Sequence, residues 1–118
     1  HNTWTHNHPK FIAHDRHSNY LYMHPDDAQR IAAGDGDRVR VSSAAGSVVV
    51  PIRVDDDMMP GSVALPHGWG HAGSAGQAVA STTSGVNANV LASDGPDSVE
   101  PLSGMSQFNG IDVEVARL

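Results

Sequence analysis

Apolar and polar positions alternate clearly in two stretches of the chain and lose their period elsewhere. In "DRVRVSS", Val39 and Val41 alternate with Arg38 and Arg40, and a period of two predicts a half-buried strand. "SAAG" is a turn, and Ser47–Val54 runs back as a second strand, so the pair forms a β-hairpin. "IDVEVARL" alternates again and predicts a strand at the end of the chain. Tyr20–Met23 reads as a short strand, and Ser62–Leu65 as another after a Pro60-Gly61 turn. Between them, "HPDDAQRIAAGDGD" predicts a helix over Pro25–Ala33. Pro25 suits its first turn, and Asp26 and Asp27 suit the positive end of its dipole. Ala28, Ile31 and Ala32 form one apolar face, and Gly34 is the expected left-handed stop. "ANVLAS" adds a short strand or a turn, and residues 67–85 are Gly/Ala/Ser-rich without a pattern. The first 19 residues are polar, and the run from Asp94 to Gly110 is loop. Many short strands with one or two short helices suggest a small, mainly β barrel.

With 118 residues the chain is one domain, long enough to bury a core without staples. Aromatic content is 5%, so Val, Ile, Leu and Ala must build that core. The absence of cysteine excludes disulfides, thiolate metal ligands and cysteine nucleophiles. A net charge of −6 with no basic stripe argues against nucleic acid as a partner. No apolar run approaches the roughly 20 residues of a membrane span. The chain opens at His1 without Met, which suggests a piece of a longer protein.

The candidate chemistry sits in the loops. His1, His6 and His8 crowd the first eight residues, and His6 and His8 would share one face of a strand. His67 and His71 are four apart, but Gly68 and Gly70 disfavour a helix there, and no HExxH occurs. These histidines read either as a metal site or as polar loop residues. "GWGHAG" matches G-x-G-x-x-G after a strand, but the loop continues instead of opening a helix, so a Rossmann site does not follow. Its glycines would still let backbone N–H groups approach a phosphate or a flat ring. Trp69 in that loop offers a stacking face or a core plug. No G-x-S-x-G elbow is present. The Gly-Ser pairs at Gly46, Gly61 and Gly73 read as turns, although such a pair can also self-cleave to a pyruvoyl group. Asn87 and Asn89 each carry a donor and an acceptor, suited to a purine or pterin edge or to a turn. Asp55–Asp57 read as a solvated loop.

Taken in order, the segments resemble a known family. "MHPDDAQRIAAGDGDRVRVSSAAGSVVVPIRVDDDMMPGSVALPHGWGH", preceded by "HNTWTHN" and followed by "GVNANVLASDGPDSVEPLSGM", is similar to the C-terminal domain of the molybdopterin-dependent oxidoreductases. That family includes dimethyl sulfoxide reductase, formate dehydrogenase and periplasmic nitrate reductase. The resemblance covers nearly the whole chain. It implies a six-stranded double-psi β-barrel of the aspartate decarboxylase-like kind, with one or two short helices. It further implies that residues 1–118 form a domain that binds the molybdopterin guanine dinucleotide cofactor.

By the same resemblance, three loops grip the cofactor. Asn2, Thr3, Trp4, Thr5 and His6 form a strip against the pterin or phosphates. His67, Gly68, Trp69 and Gly70 form the second loop, and Asn87 and Asn89 the third, with Gln107 and Asn109 further candidates. The protein ligand of the molybdenum or tungsten and any iron–sulfur cluster belong upstream. The isolated chain is then non-catalytic, its partners being the cofactor and the remaining domains of a parent enzyme expected in the cytoplasm, with the periplasm as the alternative. "HNTW" and "GVNANVL" lean toward a formate dehydrogenase-like or nitrate reductase-like parent. Two other readings compete: a non-redox double-psi barrel that serves as an adaptor, and a histidine-rich metal binder.

Overall fold

The computed structural model describes residues 7–9, 18–72, 75–82, 84–93, 95–103, 105 and 109–118. Within them lie five strands: β1 (Leu21–Met23), β2 (Arg38–Ser42), β3 (Ser47–Val54), β4 (Val63–Ala64) and β5 (Glu114–Arg117). One α-helix, α1 (Pro25–Arg30), follows β1, and 3-10 turns occupy Ala80–Thr82, Ala88–Leu91 and Pro96–Ser98. The strands form one sheet in the order β4-β1-β3-β2-β5. The fold is thus mainly β, with five strands among the described residues where the resemblance implies six. "ANVLAS" does not supply the sixth. Asn87 caps the segment through its side-chain oxygen, which accepts from Asn89 N at 3.0 Å, and the backbone coils into a 3-10 turn. Among the described residues no helix is long and apolar enough to cross a membrane.

β3 organises the sheet because its two halves pair with different partners. Ser47–Pro51 pairs antiparallel with β2, and Ile52–Val54 pairs parallel with β1. A parallel pair needs a long crossover, supplied here by α1 and β2 together. Pro51 sits in this central strand, a place proline normally avoids. The ladder explains it. Ser43 N bonds to Gly46 O and Ile52 N to Asp37 O, so alternation aims the nitrogen of Pro51 away from β2. On its other side β1 begins to pair only at Ile52. The missing N–H therefore breaks no ladder bond.

Alternation also divides the faces. Leu21, Met23, Val39, Val41, Val50 and Ile52 are all at most 2% exposed and form the core, with Ala28, Ala33 and Leu91 against them. Each such aliphatic contributes about 1.5–3 kcal/mol over an exposed position. The opposite face carries Arg38, Arg40 and Arg53, the last lying 4.6 Å over the Tyr20 ring.

The helix starts where the sequence predicts and stops earlier. The His24 ring nitrogen accepts from Asp26 N at 3.1 Å and caps the first turn. The end is set by Ala32, which takes φ 56, the left-handed role expected of Gly34. Ala33 N bonds to Ala28 O and Ala32 N to Gln29 O, both at 3.0 Å, which is a Schellman motif. It folds Ala33 back beside buried Ala28, and that burial holds an alanine in a glycine conformation. The left-handed region costs an L-residue about 1–2 kcal/mol. Ala32→Gly should therefore stabilise the protein by about 1 kcal/mol, after the entropy cost of glycine. A rise in the urea midpoint at constant m-value is the check.

The "GDGD" segment is architectural. Asp35 Oδ1 accepts from Val54 N, and Asp37 Oδ2 from Gly34 N, each at 2.8 Å. Asp27 Oδ2 accepts from Gly61 N at 2.7 Å, which ties the helix to the loop entering β4.

A last acidic anchor stands in the loop before β5. Glu100 Oε2 accepts from Leu102 N and from the N–H and hydroxyl of Ser103, at 3.1, 2.6 and 2.6 Å. The Ser103 hydroxyl bond, then the two backbone bonds, hold the Glu100 carboxyl below its usual range. The folded pKa lies below the unfolded one. The loop's stabilisation is therefore complete above the unfolded value and lost as pH falls through the folded one. An NMR titration should show the Ser103 amide shifting with a midpoint below that of an ordinary glutamate. A midpoint at the ordinary value would mean the three bonds do not persist in solution.

Candidate cofactor-binding clefts

Two clefts lie side by side where the loops converge. The first, about 320 Å³, is floored by Leu21 and Val41. Its walls come from β4 and the residues after it (Val63–Leu65, His67), from the 3-10 turn (Ala88, Leu91) and from the approach to β5 (Asn109–Ile111, Val113). The edge strand β4 and the segment entering the other edge strand, β5, thus border one space, and the sheet curls into a half-barrel around it. The second, about 270 Å³, lies between the β2–β3 turn (Ser43–Ala45), Ser93, Ser98 and Asp112. Leu91, Asn109, Gly110 and Ile111 line both and form the ridge between them.

The chemistry of the two spaces differs. The first is walled mainly by aliphatic side chains, with His67 and Asn109 as the polar groups, an arrangement suited to a flat heteroaromatic ring. The second presents Ser43, Ser93, Ser98 and Asp112. No Lys or Arg is among the described residues that line either cleft.

The loops that frame the first cleft touch along a tight seam. A β-carbon on Gly70 would lie 2.4 Å from Asn87 N and 2.8 Å from the Val86 carbonyl carbon, and Gly70 has φ 82. Gly68 is also left-handed, at φ 95. Gly70 thus serves loop-on-loop packing. The β2–β3 turn is locked similarly: the Ser43 hydroxyl donates to Leu91 O at 2.8 Å, and a β-carbon on Gly46 would meet Val90 O at 2.9 Å.

The residues singled out from the sequence divide accordingly. His67 and Asn109 are exposed and line the first cleft, and Ala88 between Asn87 and Asn89 joins them. Asn87 and Asn89 are exposed beside it, the oxygen of Asn87 being engaged in its own turn. Trp69 is 7% exposed, so its ring is a plug rather than an open stacking face. His71 contacts Gly68 O at 3.0 Å through Nε2. Asn2, Thr3, Trp4, Thr5, His6 and Gln107 lie outside the described residues. So do His1, Lys10 and Arg16. Among the described residues, the only metal-sized group of acidic or histidine side chains is Asp55, Asp56 and Asp57, which contains no histidine. Asp55 Oδ1 there accepts from Asp57 N at 2.9 Å, a turn bond.

Sequence reasoning passed over two asparagines that hold the loops. Asn7 Oδ1 accepts from Val79 N and Ala80 N at 3.1 and 3.2 Å. Asn19 is buried beneath the loop seam. Neither carries a local signal, because their partners are more than 40 residues away.

The model of the family described as molydopterin dinucleotide binding domain matches residues 1–111. Over 60 residues, 51% of this chain, the sequence is 38% identical to a tetrathionate reductase subunit of Salmonella typhimurium, covering 6% of that protein. Over 70 residues, 58% of this chain, it is 36% identical to the arsenate respiratory reductase molybdopterin-containing subunit of Chrysiogenes arsenatis, covering 8% of it. Acetylene hydratase from Pelobacter acetylenicus has a similar fold, with a TM-score of 0.68 at 20% identity. That match covers 85% of this chain and 14% of the hydratase. The chain therefore spans a small part of the length of the proteins it matches.

Proposed function

The chain belongs to the molydopterin dinucleotide binding domain family, and from that premise we propose that its paired clefts receive the molybdopterin guanine dinucleotide cofactor. The observation that carries this is convergence. The loops bearing His67, Ala88 and Asn109, far apart in sequence, border a single cleft, and a second cleft adjoins it across the Asn109–Ile111 ridge. A dinucleotide is long and has chemically distinct parts, which matches two adjoining spaces of different character. The first fits a ring, guanine or pterin, with the His67 imidazole and the Asn109 carboxamide at its polar edge. Neither cleft offers a described cationic side chain for phosphates. Backbone N–H groups and the rest of a longer protein must meet that charge.

In the same proposal residues 1–118 are the C-terminal domain of a larger molybdenum or tungsten oxidoreductase. The relatives named above are far longer than this chain and carry reductase names, which supports that assignment. Those names favour a reductase over the formate dehydrogenase-like parent suggested by "HNTW" and "GVNANVL". When bound, the cofactor supplies the redox-active metal; this domain's residues bind and orient it. The half-barrel, similar in fold to the hydratase, supports a complete double-psi barrel of six strands in that parent.

A nitrogen-15 NMR titration of the chain tests the binding, with guanosine diphosphate, guanosine and zinc as separate arms. Saturable shifts at His67–Gly70, Ala88–Leu91 and Asn109–Ile111 with both guanine compounds are expected. Shifts confined to the histidines with zinc would favour the metal-binding reading instead. No nucleotide shifts in these loops would remove the ring-binding role of the first cleft.

A further inference from the structure

Asn19 is the only buried polar residue among the described residues, at 2% exposure. Its Nδ2 donates to Pro66 O at 2.9 Å and to Val86 O at 3.0 Å. Its Oδ1 accepts from Val86 N at 2.9 Å. A carboxamide has two donors and one acceptor oxygen, and here each of those three roles has a backbone partner. The partners come from two loops, 47 and 67 residues further along the chain. One loop leads into His67, and the other into the Asn87-capped turn containing Ala88 and Leu91. Both loops contribute residues to the first cleft.

The surroundings leave Asn19 little room to move. A β-carbon on Gly85, whose φ is 123, would come within 2.9 Å of Asn19 Oδ1 and 3.0 Å of the Trp69 β-carbon. Gly85 thus packs against both Asn19 and buried Trp69, with no room for a side chain of its own. Asn19 lines neither cleft.

We infer that Asn19 is a positioning residue that joins the His67 loop and the Asn87 loop into one rigid unit, so that ligand affinity depends on a side chain the ligand does not touch. This rests on the cleft being the ring-binding site proposed above. One side chain holds both loops by three hydrogen bonds, so removing the carboxamide should uncouple them while the sheet stays intact.

The test uses the 118-residue chain with Asn19→Ala and Asn19→Asp, read by amide hydrogen exchange, amide shifts and guanosine diphosphate titration. In Asn19→Ala, exchange at Val86 N–H should rise at least about tenfold, the factor expected from one lost hydrogen bond. Amides of His67–Gly70 and Gly85–Asn87 should shift together, with those of Val39, Val50 and Ile52 unmoved. Nucleotide affinity should fall by about tenfold or more. Asn19→Asp keeps the shape and the acceptor for Val86 N, but loses both donors. It should release the Pro66 side first and retain more protection at Val86, and it decides the matter if the alanine variant does not fold. Shifts in one loop only, or unchanged affinity with both loops displaced, would overturn the inference. Sheet amides exchanging as fast as the loops would also overturn it, by making Asn19 a general stability residue. If the wild-type chain binds no nucleotide, the binding proposal fails instead, and the ligand-free exchange data alone decide whether Asn19 couples the loops.

Discussion

Replacing Gly70 with alanine is expected to destabilise the protein by about 3 kcal/mol, the sum of a conformational and a packing cost. The left-handed conformation, φ 82, charges any β-carbon about 1–2 kcal/mol. The added carbon then falls 2.4 Å from Asn87 N and 2.9 Å from Asn87 Cα, contacts that backbone atoms can relieve only by moving the whole loop. Overpacking of that kind costs about 1–3 kcal/mol. Gly36 provides the internal control, because its φ is 87 but a β-carbon there meets nothing within 4 Å. Gly36→Ala should therefore lose only the conformational part, about 1–2 kcal/mol. Urea unfolding of both variants against the parent chain gives the comparison. If Gly70→Ala loses no more than Gly36→Ala, the two loops do not pack as closely in solution as the structure places them. The same variant should also displace Asn87 and weaken nucleotide binding, since the seam it wedges open borders the first cleft.

Truncating Ile52 to alanine should cost about 2–5 kcal/mol, the range for a buried isoleucine whose cavity cannot fully collapse. Ile52 is 1% exposed and stands where β3 changes partner. Its N–H bonds to Asp37 O, its carbonyl accepts from Gly36 N, and its Cα partner across the parallel pair is Leu21. Backbone on both sides of β3 therefore fixes its position, which leaves little freedom to fill a void. A domain of this size has about 5–15 kcal/mol in total, so the loss is a large share of it. Val49 offers the contrast, half-buried on the opposite face of the same strand opposite Arg40. Val49→Ala should cost less than about 1 kcal/mol, in the range of substitutions away from the core. Equal losses at the two positions would mean the outer face is as tightly packed as the core. A changed m-value would instead point to an altered unfolded state.

The share of the site legible from sequence follows the range of the interactions involved. His67 and Asn109 stand out as polar residues in glycine-rich or irregular segments, and both line the first cleft. Asn87 is legible as either a recognition group or a turn former. The turn bond to Asn89 N is present, while the residue remains exposed. Trp69 has the chemistry to stack or to plug, and at 7% exposure it plugs. Asn19 leaves no trace in the sequence, because nothing near "SNYLYM" indicates carbonyls 47 and 67 residues away. Resemblance supplied what periodicity could not, the expectation that these particular loops work together.

By itself the sequence determined the elements whose stabilising contacts are local. The β2–β3 hairpin follows from alternation in "RVRV", the "SAAG" turn and the apolar run that returns from it, and the helix start follows from Pro25 and two aspartates in its first turn. The alternation that buries Val39 and Val41 is likewise written in the chain, because the period of a strand is two wherever it lies, whereas in "SVVVPIRV" the pairing with β2 selects Val50 and Ile52. Tertiary structure decided the rest. It stopped the helix at Ala32 instead of Gly34, since burying Ala33 beside Ala28 outweighs the strain of one left-handed alanine. It packed Leu91 of the Asn87-capped turn into the core, and it let Pro51 stand in a central strand by aiming its nitrogen where no bond was due. It also brought His67, Ala88 and Asn109 to one cleft. Each of these outcomes depends on contacts beyond the local segment, whose energies exceed the local preferences of about 1 kcal/mol per residue that a sequence pattern expresses.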